Sequence, residues 1–128
     1  MLPLTNENVK SVNEKPGAYK IYAYRNGKPL TINRFVKIDY DGTLYIGRAT
    51  KQSLRKRLYQ FHTTTKSDKK TTNHSGALKY KTNRIIKDKL GVHELYFEFM
   101  ANADPKGKEK ELLKKYSDQF GEYPPLNK

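Results

Sequence analysis

The chain has 128 residues, no cysteine, and 26 Lys and Arg against 13 Asp and Glu, a formal net charge of +13. That length suits one domain, and the lack of cysteine excludes a disulfide scaffold, a Cys-based zinc site and a thiol nucleophile. Ten tyrosines and five phenylalanines can build a small core, which argues against wholesale disorder. No apolar run approaches the ~20 residues of a membrane span and no secretory segment is present, so we expect a soluble, cytoplasmic protein without a membrane partner.

The positive charge is concentrated in the middle of the chain. Residues 48–89 carry thirteen basic and two acidic side chains, residues 1–47 carry seven and four, and residues 90–128 carry six and seven. Lysine and arginine bind polyanions by releasing condensed counterions, so the middle stretch predicts a nucleic-acid-binding surface. The same charge is compatible with a ribosomal or chromatin accessory protein that carries out no chemistry.

The first part of the chain predicts an arm followed by strands. Residues 1–15 are polar and predict a loose N-terminal arm. Aromatic residues recur along 17–24 in a strand pattern, and a second strand is expected over 43–47. An Asn-Gly pair and an Asp-Gly pair supply the turn signals between them.

The second part predicts three helices and one more strand. Apolar residues spaced three and four apart predict a helix over 51–62, and the apolar-free stretch 63–73 predicts a mobile surface loop. A second helix is expected over 76–90, a third strand over 93–100, and a last helix from the Asp104-Pro105 start to about residue 120. The residues expected to face the core from these helices are Leu54, Leu58 and Phe61, then Leu78, Ile85 and Ile86, then Leu112, Leu113 and Tyr116. This order predicts an α+β fold, a small three-stranded antiparallel sheet flanked by about three helices.

Two short motifs on the first two strands are similar to a nuclease signature. Gly17-Ala18-Tyr19 and Tyr45-Ile46-Gly47 resemble the paired triplets of the GIY-YIG nucleases, with Ala18 where isoleucine or valine is usual. At the family's spacing follow Leu54-Arg55-Lys56-Arg57-Leu58, an acid before a Leu-Leu-Lys-Lys-Tyr helix, and a terminal Pro-Pro-Leu-Asn. The resemblance covers about residues 16–127. It implies a domain over 16–128 that hydrolyses nucleic-acid phosphodiesters with one Mg²⁺ or Mn²⁺ per active site.

The resemblance also implies a catalytic centre. It selects Glu109 as the metal ligand, Arg57 as the group that faces the scissile phosphate, and Tyr19 as the candidate general base, with Tyr45 beside it. Simpler roles exist for the same residues. An acid in the first turns of a helix is favoured by the helix dipole, and tyrosines on strands commonly form core or cross-strand pairs.

The sequence departs from the family pattern in the length of one connection and in the residue at position 61. The connection between Tyr19 and Tyr45 is long, which identifies residues 28–40 as an insertion, either an added strand or a substrate-facing flap. Phe61 stands where relatives often have tyrosine or histidine, and phenylalanine cannot transfer protons. His62 and His74 are the candidates to replace it, and we favour His74 because it precedes a Ser75-containing segment similar to that of phage members. An ordinary surface histidine is the alternative for His74.

We therefore expect a metal-dependent endonuclease acting on DNA, most simply on a duplex, with RNA left open and a monomer or weak dimer as the working form. The alternative is a non-catalytic basic nucleic-acid-binding module on the same scaffold. The residues expected to contact nucleic acid are Gly47, Arg48, Lys51, Arg55, Lys56, Lys69, Lys70, Lys79 and Asn127.

Overall fold

A sheet built around one long strand forms the centre of the computed structural model, which describes residues 1–66 and 74–127. The strands are β1 (Leu2–Pro3), β2 (Gly17–Arg25), β3 (Lys28–Pro29), β4 (Ile32–Asn33), β5 (Ile38–Asp39), β6 (Thr43–Ala49) and β7 (Leu95–Ala101). The helices are α1 (Asn6–Lys10), α2 (Leu54–Lys66), α3 (Ser75–Thr82), α4 (Arg84–Lys89) and α5 (Pro105–Phe120), with a short 3₁₀ helix over Val92–Glu94. The predicted α+β class is confirmed.

The sheet is larger than predicted. The expected three antiparallel strands are present, with β2 in the centre between β6 and β7. The short strand β1 extends the sheet beyond β7, and β3 pairs with the end of β2, so the described sheet has five strands rather than three. A separate hairpin of β4 and β5 lies outside it. The extra strands lie in the arm and in residues 28–40, and each is only two residues long, which is too short to give a strand pattern in the sequence.

Helices cover both faces of this sheet because the strand side chains alternate between them. Tyr19 and Ile21 of β2 join the larger core, with residues from α1 to α4. Ile46 of β6 faces the opposite way and packs with Tyr116 and Phe120 of α5. The described residues thus contain five α-helices where about three were predicted. None of the described helices has the length and apolar character required to cross a membrane.

The prediction of a loose N-terminal arm is wrong. Leu4, Val9 and Val12 are buried in the larger core. The arm is held from α2 as well, where the Arg55 guanidinium donates to the Val12 carbonyl at 2.7 Å and to the Glu14 carboxylate at 2.7 Å. Three isolated apolar residues in a polar stretch carry no periodic signal, which is why the sequence pattern does not reveal this packing.

The helix α2 continues four residues past its expected end, so 63–66 of the predicted surface loop are helical. Thr64 and Thr65 are buried, and the Thr65 hydroxyl donates to the His62 carbonyl at 2.6 Å. Such bonds back to the preceding turn satisfy threonine hydroxyls within a helix. The rest of that predicted loop, 67–73, lies outside the described residues.

The single helix expected over 76–90 is two helices that meet at Asn83. The Asn83 side chain accepts from the Ile86 N–H at 3.1 Å and so starts α4. This break turns Ile85 outward, 74% exposed, instead of inward as predicted. Tyr80 occupies the core in its place, with its hydroxyl donating to the Leu90 carbonyl at 2.7 Å.

The last helix, α5, begins and ends where the sequence predicts. Asp104 caps its start by accepting from the Gly107 N–H at 3.0 Å, and Gly121 ends it with a φ of +80°. Glycine adopts this left-handed conformation without steric penalty.

The insertion is attached to the far end of α5. The Val36 N–H donates to the Phe120 carbonyl at 3.1 Å, and the Tyr116 hydroxyl donates to the buried Asp39 carboxylate at 2.7 Å. Glu109 lies eleven residues before Phe120, about three turns along the helix. Residues 28–40 thus contain three short strands, and their contacts with α5 lie at the end of the helix away from Glu109.

Candidate active site

A basic groove of about 1050 Å³ runs along the outer edge of β6, which among the described strands pairs with β2 alone, on its inner side. Here the layer of α2 and α3 meets α5 around the edge of the sheet. Among the residues that line the groove are Tyr45, Arg48, Lys51, Arg57, Lys79 and Glu109. The residues selected by the sequence motifs therefore converge on one surface.

Gly47 makes room for both predicted tyrosines. It lies opposite Tyr19 in the pairing of β2 with β6, and Tyr45 precedes it by two residues on the same face. A Cβ at Gly47 would lie 2.6 Å from Tyr19 Cζ and 2.6 Å from Tyr45 Cε2. No side chain fits there, so glycine at this position is required by the packing of the two tyrosines, and the predicted nucleic-acid contact of Gly47 stays a prediction.

His74 joins the two tyrosines to α3. It is buried, its Nε2 is hydrogen-bonded to the Tyr19 hydroxyl, and its Nδ1 caps α3 by accepting from the Ala77 N–H at 3.3 Å. Burial, and after it the charge of Arg57, lowers the pKa of His74 to about 3. A neutral ring whose Nδ1 accepts must carry its hydrogen on Nε2, so His74 donates to Tyr19. The alternative of a surface histidine is wrong.

Phe61 is the apolar wall of this histidine pocket. Its ring meets the His74 ring edge to face at a centroid distance of 4.8 Å. His62, the other candidate, is buried on α2, and neither ring nitrogen has a hydrogen-bond partner among the described residues. His74 is therefore the histidine of the site.

The two tyrosines have different access to the groove. Tyr19 has no exposed surface, whereas Tyr45 lines the groove and is 9% exposed. Burial raises the pKa of Tyr19 well above its usual value, opposed by the charge of Arg57 and by a hydrogen bond from it. Burial also raises the pKa of Tyr45, opposed first by Arg57 and then by hydrogen bonds with Ser75 and Tyr19. The rings of Tyr19 and His74 pack beside that of Tyr45, with centroid distances of 6.0 and 5.2 Å.

Arg57 is the positive centre of the site. It lies on α2, one residue before the buried Leu58, and lines the groove with its Nη1 donating to Gln60 Oε1 at 2.9 Å. Its charge acts on Tyr19, Tyr45 and His74 alike. A guanidinium held in this way offers a planar fork suited to phosphate oxygens.

Glu109 is the carboxylate of the groove. It reaches the β6 edge from the second turn of α5, where its Oε1 accepts from Arg48 Nη1 at 2.9 Å. Across residues 1–66 and 74–127, no three His, Cys, Asp or Glu side chains gather into a metal-binding group. Magnesium is commonly held by one or two carboxylates with water and substrate phosphates as its other ligands. The Glu109 carboxylate in this basic groove fits such an ion.

The predicted nucleic-acid contacts divide into three groups. Arg48, Lys51, Lys79 and Asn127 line the groove, although the Asn127 side chain is bonded to the Ile46 backbone, with its Nδ2 and Oδ1 each 2.9 Å from the partner atom. Arg55 is bound to the arm, and Lys56 is exposed on α2 outside the groove lining. Lys69 and Lys70 lie outside the described residues.

Several groove residues were not predicted. Ser75, Leu78 and Thr82 line one wall with Lys79, and their spacing of three and four residues places them on one face of α3. The sequence predicts that this helix starts at residue 76, and a start at Ser75 would have placed these three residues on one face. Tyr123 also lines the groove, but no sequence signal identifies a residue on an extended tail as part of a site.

Searches with protein-family models, against curated proteins and against solved structures give no match for this chain.

Proposed function

We propose that the protein is a metal-dependent endonuclease that hydrolyses phosphodiester bonds of DNA through a single-metal site of the GIY-YIG type. The observation that supports it most is the convergence of Tyr45, Arg57 and Glu109 at one groove, with Tyr19 and His74 packed behind Tyr45. These side chains come from four separate elements and the residue that caps a fifth, and span ninety-one positions of the sequence. A core needs no such collection of polar groups, and a binding surface gains nothing from a carboxylate facing phosphate.

Tyr19 and Tyr45 have different roles in the proposed reaction. Tyr45 faces the groove, so it orients the attacking water. In its phenolate form it takes the proton of that water as the water oxygen bonds to phosphorus, while the bond to the 3′ oxygen breaks and that oxygen takes a proton from solvent. Tyr19 and His74 do not reach the groove and act as positioning residues, because they are hydrogen-bonded to each other and their rings pack against that of Tyr45 at centroid distances of 6.0 and 5.2 Å. Since burial keeps the pKa of Tyr45 high, its role as a proton acceptor depends on the charge of Arg57.

The groove cations and Glu109 act on the phosphate itself. Arg57 binds the non-bridging oxygens, on which negative charge grows as the bond to the 3′ oxygen breaks. Glu109 would hold the divalent ion, which withdraws electron density from the phosphate and eases departure of the 3′ oxygen. Lys51 and Lys79 lie farther along the groove lining and suit the flanking phosphates.

Incubation of supercoiled plasmid with Mg²⁺ or Mn²⁺ tests the proposal. We expect the wild type to nick DNA, EDTA to stop cleavage, and Glu109→Gln to slow it by on the order of a hundredfold or more. Glu111→Gln is the matched control, because Glu111 is an exposed acid on the same helix, paired with Lys108. It is expected to cut like the wild type.

The outcomes separate the two functions that the sequence leaves open. If the wild type binds DNA but cuts neither DNA nor RNA with either ion, the protein is a binding module and the nuclease proposal is wrong. Equal cleavage by Glu109→Gln and the wild type would remove Glu109 from the site.

A further inference from the structure

The candidate metal ligand already has a counterion. Arg48 Nη1 lies 2.9 Å from Glu109 Oε1, and their side chains are 39% and 20% exposed. Both line the groove. Arg48 follows Gly47 on β6, and the alternation along the strand directs it to the same face as Ile46, toward α5. The pair therefore bridges β6 and α5 within the groove lining.

A divalent cation and the Arg48 guanidinium compete for the same carboxylate. Two positive groups on one carboxylate repel each other, so an ion that binds Glu109 must displace Arg48 or bind more weakly. A phosphate offers Arg48 an equivalent partner, because a guanidinium fits carboxylate and phosphate oxygens with the same fork. The exposure of Arg48 leaves its side chain free to turn toward the groove.

We propose that Arg48 is an exchangeable counterion of Glu109, which passes from the carboxylate to a nucleic-acid phosphate and so couples metal binding to substrate binding. The inference rests on the proposed function. Before substrate arrives, Arg48 neutralises Glu109, and the groove presents a net positive surface to phosphate. When phosphate takes Arg48, Glu109 is released for the cation. Because coupling is reciprocal, metal and nucleic acid each favour binding of the other.

Other groove cations are less suited to this part. Arg57 is bonded to Gln60 and acts on the tyrosines and His74. The Lys79 ammonium donates to the Asn127 carbonyl at 3.1 Å. Lys51 is exposed at the groove, and among the described residues Glu109 forms its ion pair with Arg48 and not with Lys51, so Lys51 is a charge-matched comparison for Arg48.

The first test measures Mn²⁺ binding to the protein without nucleic acid, from the electron paramagnetic resonance signal of free Mn²⁺. Because Arg48→Gln removes the competing guanidinium, we expect it to bind Mn²⁺ about fivefold to tenfold more tightly than the wild type. Lys51→Gln removes the same charge elsewhere in the groove and is expected to change binding by less than about twofold. Equal effects of the two variants, or weaker binding by Arg48→Gln, would overturn the inference.

The second test measures binding of a short fluorescent DNA duplex in EDTA, by anisotropy. With Arg48 held by Glu109, Glu109→Gln is expected to free Arg48 and tighten duplex binding about fivefold, while Glu111→Gln has a smaller effect. In the Arg48→Gln background, Glu109→Gln must increase duplex affinity by a smaller factor, since Arg48 is no longer there to be freed. Additive effects of the two substitutions would show that the pair is not exchanged.

The two proposals can fail separately. If the wild type cuts DNA but Arg48→Gln shows no specific gain in Mn²⁺ affinity, only the counterion exchange is wrong. If neither ion supports cleavage of any nucleic acid, the nuclease function is wrong whatever the Mn²⁺ titration shows.

Discussion

The hydroxyl groups of Tyr19 and Tyr45 are neighbours with different surroundings. Tyr19 is enclosed, and its oxygen accepts from the buried Nε2–H of His74. Tyr45 touches the groove, where water can replace a lost hydrogen bond. Removing the acceptor of a buried donor lowers the free energy of unfolding by about 1–3 kcal/mol, whereas the loss of stability is smaller where water can replace the acceptor. Stability and the proposed catalysis are therefore expected to depend on different members of the pair.

Replacement of each tyrosine by phenylalanine separates these roles. We expect Tyr19→Phe to lower the free energy of unfolding by about 1–3 kcal/mol, and Tyr45→Phe to lower it by less than about 1 kcal/mol. Tyr45→Phe should nevertheless slow cleavage by at least about a hundredfold, because the group that takes the proton is lost. Urea unfolding and single-turnover cleavage of a labelled duplex measure the two effects.

Tyr24→Phe is the control for that comparison. Tyr24 is a tyrosine of the same strand, stacked on Tyr96 at a centroid distance of 4.8 Å and remote from the groove lining. It is expected to change neither quantity by much. Wild-type cleavage by Tyr45→Phe would show that its phenol is not the proton acceptor.

At the scale of elements, the start of α3 determines how His74 acts. The first backbone N–H groups of a helix need acceptors, and His74 Nδ1 satisfies that of Ala77. The cap thereby sets the tautomer that donates to Tyr19. One imidazole ring therefore both caps a helix and holds a tyrosine of the proposed site.

Asparagine and alanine at residue 74 separate the cap from the ring. Asparagine is a good N-cap residue but is too short to replace Nε2, so His74→Asn is expected to be about 1 kcal/mol more stable than His74→Ala. Both variants should lose cleavage to a similar degree, because neither donates to Tyr19. Urea unfolding and cleavage rates provide the measurement, and wild-type cleavage by His74→Asn would contradict the assigned role.

Local signals predicted the elements that depend on local contacts. Asp104 and Gly121 delimit α5 because a cap and a left-handed glycine act within a few residues. The arm was missed because Leu4 and Val9 are buried by elements far away in the chain. The same reason limits prediction of the site. The motifs identify Tyr19 and Tyr45, but which phenol reaches the groove depends on how α2 and α3 cover the sheet.

At the scale of the whole molecule, two buried histidines make the free energy of unfolding depend on pH. Burial, with a contribution from Arg57, lowers the pKa of His74 to about 3, and burial with Lys66 lowers that of His62. The other titratable groups around His74 are the phenols of Tyr19 and Tyr45, whose raised pKa values keep them protonated and uncharged throughout the acid range. The charge of Arg57 therefore opposes the imidazolium at every pH of interest.

Stability is consequently expected to fall on mild acidification. In the unfolded chain a histidine has a pKa of about 6.5, so below that pH the unfolded state binds protons that the native state does not. The free energy of unfolding then decreases as the pH falls, and for His74 the loss between pH 7.5 and 5.0 is about 2 kcal/mol. Glu94, whose pKa is lowered to about 2 chiefly by hydrogen bonds from Arg25 and Gly91, adds its own loss mainly below about pH 4.5. Urea unfolding at the two pH values measures the difference, and His74→Asn should reduce it by about 2 kcal/mol. An equal loss in the variant and the wild type would mean that His74 does not remain neutral in the folded protein.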